Sequence, residues 1–167
     1  MLKQRLQTLT NEYSFFLFGA RGVGKSSLLE VLFDLKSSLY INLLDPLEEA
    51  RFARSPNELI NLVKAMSNDT RFVIIDEIQK VPKLLDVIHL LIENEKSDKI
   101  FILTGSSARK LKMQGVNLLA GRAFVFHLFP FSFLELGNDF DLEHALRWGM
   151  LPKIYAFRNN NSKYLLP

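Results

Sequence analysis

The chain has 167 residues, 48% of them hydrophobic and 23% charged, with a formal net charge of +3. That length and balance suit one globular domain with a real core and argue against a disordered chain, while the mild positive charge permits a polyanionic partner without requiring one. There are no cysteines, which excludes a disulfide framework, a thiol nucleophile and a cysteine-ligated metal.

The N-terminal residues Met1–Gln7 lack the continuous apolar segment of a signal peptide. No run approaches the roughly eighteen apolar residues of a membrane span, so a soluble cytoplasmic protein with no membrane partner is expected.

The first strand is expected at Phe15–Phe18, apolar on successive residues as in a parallel sheet covered on both faces. The next stretch, Gly19-Ala20-Arg21-Gly22-Val23-Gly24-Lys25-Ser26, matches G-x-x-x-x-G-K-[ST] at every fixed position, and Ser27 follows. Glycines there open backbone angles closed to other residues and let amide groups approach a ligand. Between a strand and a helix, successive amides form an anion cradle reinforced by the helix N-terminus. Lys25 then reaches the β- and γ-phosphates, and the Ser26 hydroxyl can ligate Mg²⁺. The alternative is a glycine-rich turn with an incidental lysine, which the flanking elements disfavour.

A helix is expected over Gly24–Leu35, with Leu28, Val31, Leu32 and Leu35 at 3-and-4 spacing, and then a strand over Leu39–Leu43. Ser55–Met66 opens with "SPNE", which reads as a Ser cap, a Pro at the first helical position and a capping-box Glu.

The strand Phe72–Asp76 runs four apolar residues into Asp76 and Glu77. An acid at the C-terminal end of a buried parallel strand lies on the edge where such sheets bind ligands. Asp76 is the expected Mg²⁺ ligand and Glu77 the expected base toward water. Alone, such a strand end is often simple surface termination; beside a phosphate loop it reads as half of a hydrolytic site. The Asp-Glu pair, with no N-K-x-D motif for guanine, favours ATP over GTP.

Pro82–Glu95 carries Leu84, Leu85, Ile88, Leu91 and Ile92 on one stripe, a helical pattern. The strand Ile100–Thr104 ends in Gly105, Ser106 and Ser107. If it is an inserted central strand, Ser106, or Thr104 second, can sense the γ-phosphate or the attacking water; capping of a helix over Ser107–Met113 is the competing role.

Arg122 precedes the last strand, Phe124–Phe129, and can serve as a finger toward a neighbouring subunit's γ-phosphate in a homo-oligomer; the alternative for a lone arginine is a surface or salt-bridged residue. Arg21 and Arg109 are weaker candidates. His89, His127 and His144 lack metal-ligand spacing, and Arg109, Lys110 and Lys112 form a short basic patch that suits a solvated helix face better than a nucleic-acid site. A further short helix is expected over Asp141–Trp148.

Taken together, "GARGVGKSSLL", "YINLLDP", "VIIDEIQKVPKLLDVIHLLIE", "FILTGSSARKL", "NLLAGRAFVFHLFPFSFLEL" and "LRWGMLPKIY" resemble the AAA-type ATPase domain of a large bacterial and archaeal family. In that family the ATPase precedes a C-terminal domain of unknown function. The resemblance implies an α/β fold of the additional-strand, AAA+-like P-loop class: three layers, α/β/α, around a mostly parallel five-stranded sheet in the order 5-1-4-3-2. It implies Walker A at Gly19–Ser26, Walker B at Phe72–Glu77, a sensor near Ser106 and a finger near Arg122. Residues 1–140 are then the ATPase core. Residues 141–167 are expected to begin a C-terminal lid or linker that is cut short, since "NNNSKYLLP" ends on a fresh apolar start; a frayed tail is the alternative. The function expected is Mg²⁺-dependent ATP hydrolysis coupled to a protein partner or further domain. An ATP-binding switch with negligible turnover and a nucleic-acid-linked ATPase are the alternatives.

Overall fold

The computed structural model describes residues 3–94, 98–113 and 119–156. The segment 157–167, which contains the polar run and apolar restart read above, lies outside the described residues, as do residues 114–118.

Five parallel strands form one sheet in the order β2-β3-β4-β1-β5. They are β1 (Phe15–Phe18), β2 (Leu39–Asn42), β3 (Phe72–Asp76), β4 (Ile100–Gly105) and β5 (Phe124–His127). Read from the other side, this is the expected 5-1-4-3-2, with β4 inserted between the strands that carry the two nucleotide motifs. The continuous apolar runs are the reason: every residue of β1 and β4 is buried, as are four of the five in β3.

Because side chains alternate along a strand, each run supplies both faces of the sheet. Phe15, Leu17, Ile74, Ile100 and Ile102 pack on one side with Leu28 and Leu29 of α1 (Lys25–Leu32). Phe16, Phe18, Val73, Ile75, Phe101 and Leu103 pack on the other. There they meet Phe52 of α2 (Pro46–Arg54), Leu59 and Val63 of α3 (Glu58–Ala65), the apolar stripe of α4 (Leu84–Asn94) and Leu111 of α5 (Ala108–Met113). Two apolar layers flank one sheet, the three-layer α/β/α arrangement of a P-loop domain. Burying each such Phe or Leu side chain contributes roughly 1.5–3 kcal/mol.

Three short helices close the described chain: α6 (Phe133–Leu136), α7 (Leu142–Trp148) and α8 (Pro152–Ala156). Pro152 at the start of α8 comes back to the phosphate loop, its Cγ lying 3.7 Å from where a Cβ on Gly24 would be.

Several boundaries differ from expectation for local reasons. Ser55 is not the cap of α3: it is the C-cap of α2, and its N–H donates to Arg51 O at 3.0 Å. The Glu58 carboxylate pairs with Arg51 at 2.7 Å instead of returning to a capping box, and α3 begins at Glu58. The first helix stops at Leu32 because Phe33 turns extended and enters the core. β5 ends at His127, two residues short, where the chain turns toward Pro130, which has no N–H for a ladder.

Candidate functional site

The C-terminal ends of β1, β3 and β4 converge on one edge of the sheet. The loop after β1 is held by the Gly19 N–H donating to Gly105 O at 3.2 Å. Gly22 and Gly24 adopt φ of 84° and 92°, the left-handed region that side chains disfavour. At Gly19 the reason is space: a Cβ there would lie 2.4 Å from the backbone oxygen of Leu128. The loop is therefore shaped by backbone at these positions, as an anion site needs.

Lys25 is buried and its ammonium folds back onto the loop, donating to Gly19 O at 2.8 Å and Ala20 O at 3.4 Å. It also faces Glu77 Oε1 at 3.8 Å. Ser26, one residue on, donates its hydroxyl to Asp76 Oδ2 at 3.2 Å. Four of the residues singled out in the sequence, Lys25, Ser26, Asp76 and Glu77, thus meet in one place. Ala20 and Arg21 are exposed on the loop, and Ser27 is exposed in the first turn of α1.

The donor set suits Mg²⁺. A hydroxyl and a carboxylate oxygen 3.2 Å apart are hard ligands, and Mg²⁺ commonly takes one or two such groups with phosphate oxygens and water. Among the described residues no group of three or more His, Cys, Asp or Glu forms an all-protein metal cage.

Asp76 is gripped by more than the loop. Tyr40 of β2 donates to Asp76 Oδ2 at 3.1 Å, and burial together with the Asp76 charge pushes the Tyr40 phenol well above its ordinary pKa. Thr104 is 0% exposed; its hydroxyl donates to Asp76 Oδ1 and accepts the Glu77 N–H at 3.0 Å. Thr104 is therefore a clamp on the acidic pair. Glu77 itself has φ 61°, unusual for a non-glycine residue, and that turn swings its carboxylate toward Lys25.

Gln79 completes the cluster. Its amide nitrogen donates to Glu77 Oε2 and, at 3.4 Å, to Ser106 Oγ, while its Oε1 is buried without a partner. Ser106 is thus joined to the acidic pair through Gln79. Sequence reasoning gave no role to Tyr40 or Gln79. The signal for Gln79 was its place in "DEIQ"; Tyr40 reaches Asp76 across a strand pair whose register no local pattern reveals.

Arg122 is not brought to this site. It stands before the start of β5, and the parallel pairing of β1 with β5 puts it at the opposite end of the sheet from the loop. Its guanidinium pairs with Glu93 of α4. His89 Nε2 lies 3.3 Å from the same Glu93 carboxylate, and His144 lies against the Tyr155 ring. Arg109 is exposed on α5; the side chains of Lys110 and Lys112 lie outside the described residues.

Beside the loop lies a cavity of about 550 Å³. Val23, Gly24, Ser27 and Leu28 form one wall, the N-terminal segment with Gln4, Gln7, Thr8 and Leu9 another, and Phe131 and Pro152 close it. Among the described residues no helix is long and apolar enough to cross a membrane.

Comparison with known proteins agrees with this fold. Uncharacterized protein Rv2008c of Mycobacterium tuberculosis and Uncharacterized protein Mb2031c of Mycobacterium bovis are each 25% identical to the chain over 146 residues. The match takes in 87% of this chain and 32% of each relative, so the chain spans about a third of the length of the curated relatives it matches. Residues 11–137 match the AAA domain family, from before β1 to the end of α6. With its phosphate loop and inserted fourth strand, the chain belongs to the AAA domain family and is an ATPase-type P-loop domain.

Proposed function

We propose that this domain binds ATP with Mg²⁺ and hydrolyses it, and that the nucleotide state is passed to a further domain or protein partner. The reading rests on one observation: Lys25, Ser26, Asp76 and Glu77 meet at the strand ends where P-loop sheets hold nucleotide.

In this reading the loop amides and Lys25 bind the β- and γ-phosphates, Lys25 exchanging its bonds to Gly19 O and Ala20 O for phosphate oxygens. Ser26 and Asp76 hold Mg²⁺, which when bound offsets phosphate charge during transfer. Tyr40 and Thr104 keep the Asp76 carboxylate fixed for that task. Glu77 orients water and accepts its proton, and Ser106 contacts the γ-phosphate side of the site. The apolar cavity beside Val23 receives the nucleoside. Arg122, being at the far end of its own sheet, acts only on a neighbouring subunit's nucleotide, within a homo-oligomer. Residues 141–167 begin the connection to the partner or further domain, and Pro152 against the loop is where that connection meets the nucleotide.

A second reading, an ATP-binding switch with little turnover, is favoured by one feature: the Glu77 carboxylate is already engaged by Gln79 and Lys25. Phosphate release from ATP, measured with Mg²⁺ and again with a chelator, separates the two. Metal-dependent release abolished by Lys25→Ala supports hydrolysis. Tight ATP binding without release at stoichiometric protein supports the switch, and no ATP binding defeats both.

A further inference from the structure

We propose that Arg5 and Glu135 form a latch that holds the N-terminal segment across the cavity beside the phosphate loop, making Arg5 a positioning residue for nucleoside recognition. The inference rests on the reading of that cavity as the nucleoside site.

Residues 3–9 have neither helix nor strand, so no backbone ladder keeps them in place. Yet they form a whole wall of the cavity. What fixes them is side-chain contact: Lys3 pairs with the exposed Asp139 and donates to Leu136 O at 3.3 Å, and Arg5 makes the buried contact. Arg5 and Glu135 are 9% and 6% exposed, and Arg5 Nε lies 3.0 Å from Glu135 Oε1. The Leu6 N–H donates to that same oxygen at 3.0 Å, so the carboxylate grips both the side chain and the backbone of the segment.

Glu135 is itself immobilised before it meets Arg5. Its Oε2 accepts the Ser132 N–H at 2.8 Å and the Ser132 hydroxyl at 3.1 Å, while Ser132 Oγ accepts the Glu135 N–H, a capping box at the start of α6. Arg5 donates onward to the backbone oxygens of Val23, at 3.4 Å, and Phe129, and its guanidinium lies 4.7 Å from the centre of the Phe131 ring. One guanidinium therefore ties the N-terminal segment, the phosphate loop and the β5–α6 connection together.

A buried ion pair is not by itself a gain in stability over apolar packing, because both charges lose their water. Its geometric demand is the useful property: the segment can sit in only one place while Arg5 meets these acceptors. The phosphate loop reads phosphates whatever base is attached. A purine base would be read by the wall that carries Gln4, Gln7 and Thr8, and that wall is positioned by the latch.

The test compares Mg²⁺-ATP with inorganic tripolyphosphate by calorimetry on the parent, Arg5→Met and Glu135→Gln. Hydrogen exchange is followed over residues 3–9 in the ligand-free proteins. We expect ATP affinity to fall about tenfold or more in both variants, tripolyphosphate affinity by less than about twofold, and exchange over residues 3–9 to rise. Unchanged ATP affinity, or equal losses for both ligands, overturns the positioning role; unchanged exchange overturns the latch. If the parent itself does not prefer ATP to tripolyphosphate, the nucleoside reading of the cavity fails and the positioning role falls with it, while exchange still decides the latch. Should Arg5→Met not fold, Glu135→Gln carries both measurements, since its amide keeps the volume of the carboxyl.

Discussion

The Ser26 hydroxyl donates to Asp76 Oδ2 at 3.2 Å, joining the first turn of α1 to the end of β3 across 50 residues of sequence. The contact sets two oxygens at the spacing of neighbouring ligands on one small cation. Asp76→Asn removes the charge while keeping the shape. We expect it to weaken Mg²⁺-ATP binding about tenfold or more and to leave metal-free ATP binding nearly unchanged. Calorimetry with and without Mg²⁺ reads the difference. Equal losses in both conditions would show that Asp76 acts on the loop and not on the metal.

Thr104 offers a stability test at the same site. Its hydroxyl serves the Glu77 N–H and Asp76 Oδ1 together in a fully buried position. Thr104→Val keeps the volume and leaves both groups short of a partner. A loss of about 1–3 kcal/mol is expected from denaturant unfolding. A smaller loss than in Thr104→Ser, which keeps the hydroxyl, would mean that packing and not hydrogen bonding decides the position.

Gly19 is fixed by space. A methyl group there would meet the backbone oxygen of Leu128, which belongs to the connection leaving β5 and cannot swing aside as a side chain would. Gly19→Ala is expected to cost about 1–3 kcal/mol in unfolding free energy and to weaken ATP binding, because either the loop or the β5 connection must shift. Native stability and affinity in this variant would contradict the close approach.

The pH dependence of stability follows from Glu135. Burial works against its charge, but the N–H groups of Ser132 and Leu6, the Arg5 guanidinium and the Ser132 hydroxyl outweigh it, holding the carboxyl below the ordinary glutamate range. A carboxyl with a lowered folded pKa stabilises the fold above its unfolded value, about 4.3, and that contribution is lost as pH falls through the folded value. Glu135→Gln should therefore be less stable than the parent by about 1–3 kcal/mol at neutral pH, with the gap closing below pH ~4. A gap that persists unchanged into acid would assign the loss to packing.

Much of this architecture is legible in the sequence because the strands are buried on both faces. A run such as Phe72–Ile75 has no polar alternation to confuse it, and Asp76 marks its end. The helix α2 is less visible. Only Phe52 among its residues is buried and Leu47 is exposed, so it shows no apolar stripe. Its signals are the Asp45 cap, Pro46 at the first position and the acids Glu48 and Glu49. "SPNE" misleads in the opposite sense, because a cap pattern cannot show that Ser55 is already ending another helix.

The site divides in the same way. The phosphate loop and the acidic pair are local motifs, and each is readable in a few consecutive residues. Tyr40, Thr104 and Gln79 act through contacts set by strand register and by the turn at Glu77, which no local spacing encodes. Arg5 is harder still, since it lies in a segment without periodicity and meets Glu135 across 130 residues of chain.

The most direct test of the account is a single-turnover measurement on Glu77→Gln, with protein in excess over Mg²⁺-ATP and the bound nucleotide measured in the same sample. ATP binding within about threefold of the parent is expected, with phosphate release slowed by about a hundredfold or more, since the amide keeps the shape but cannot accept the proton. Phosphate release at the parental rate from Glu77→Gln would contradict it and remove Glu77 as the base.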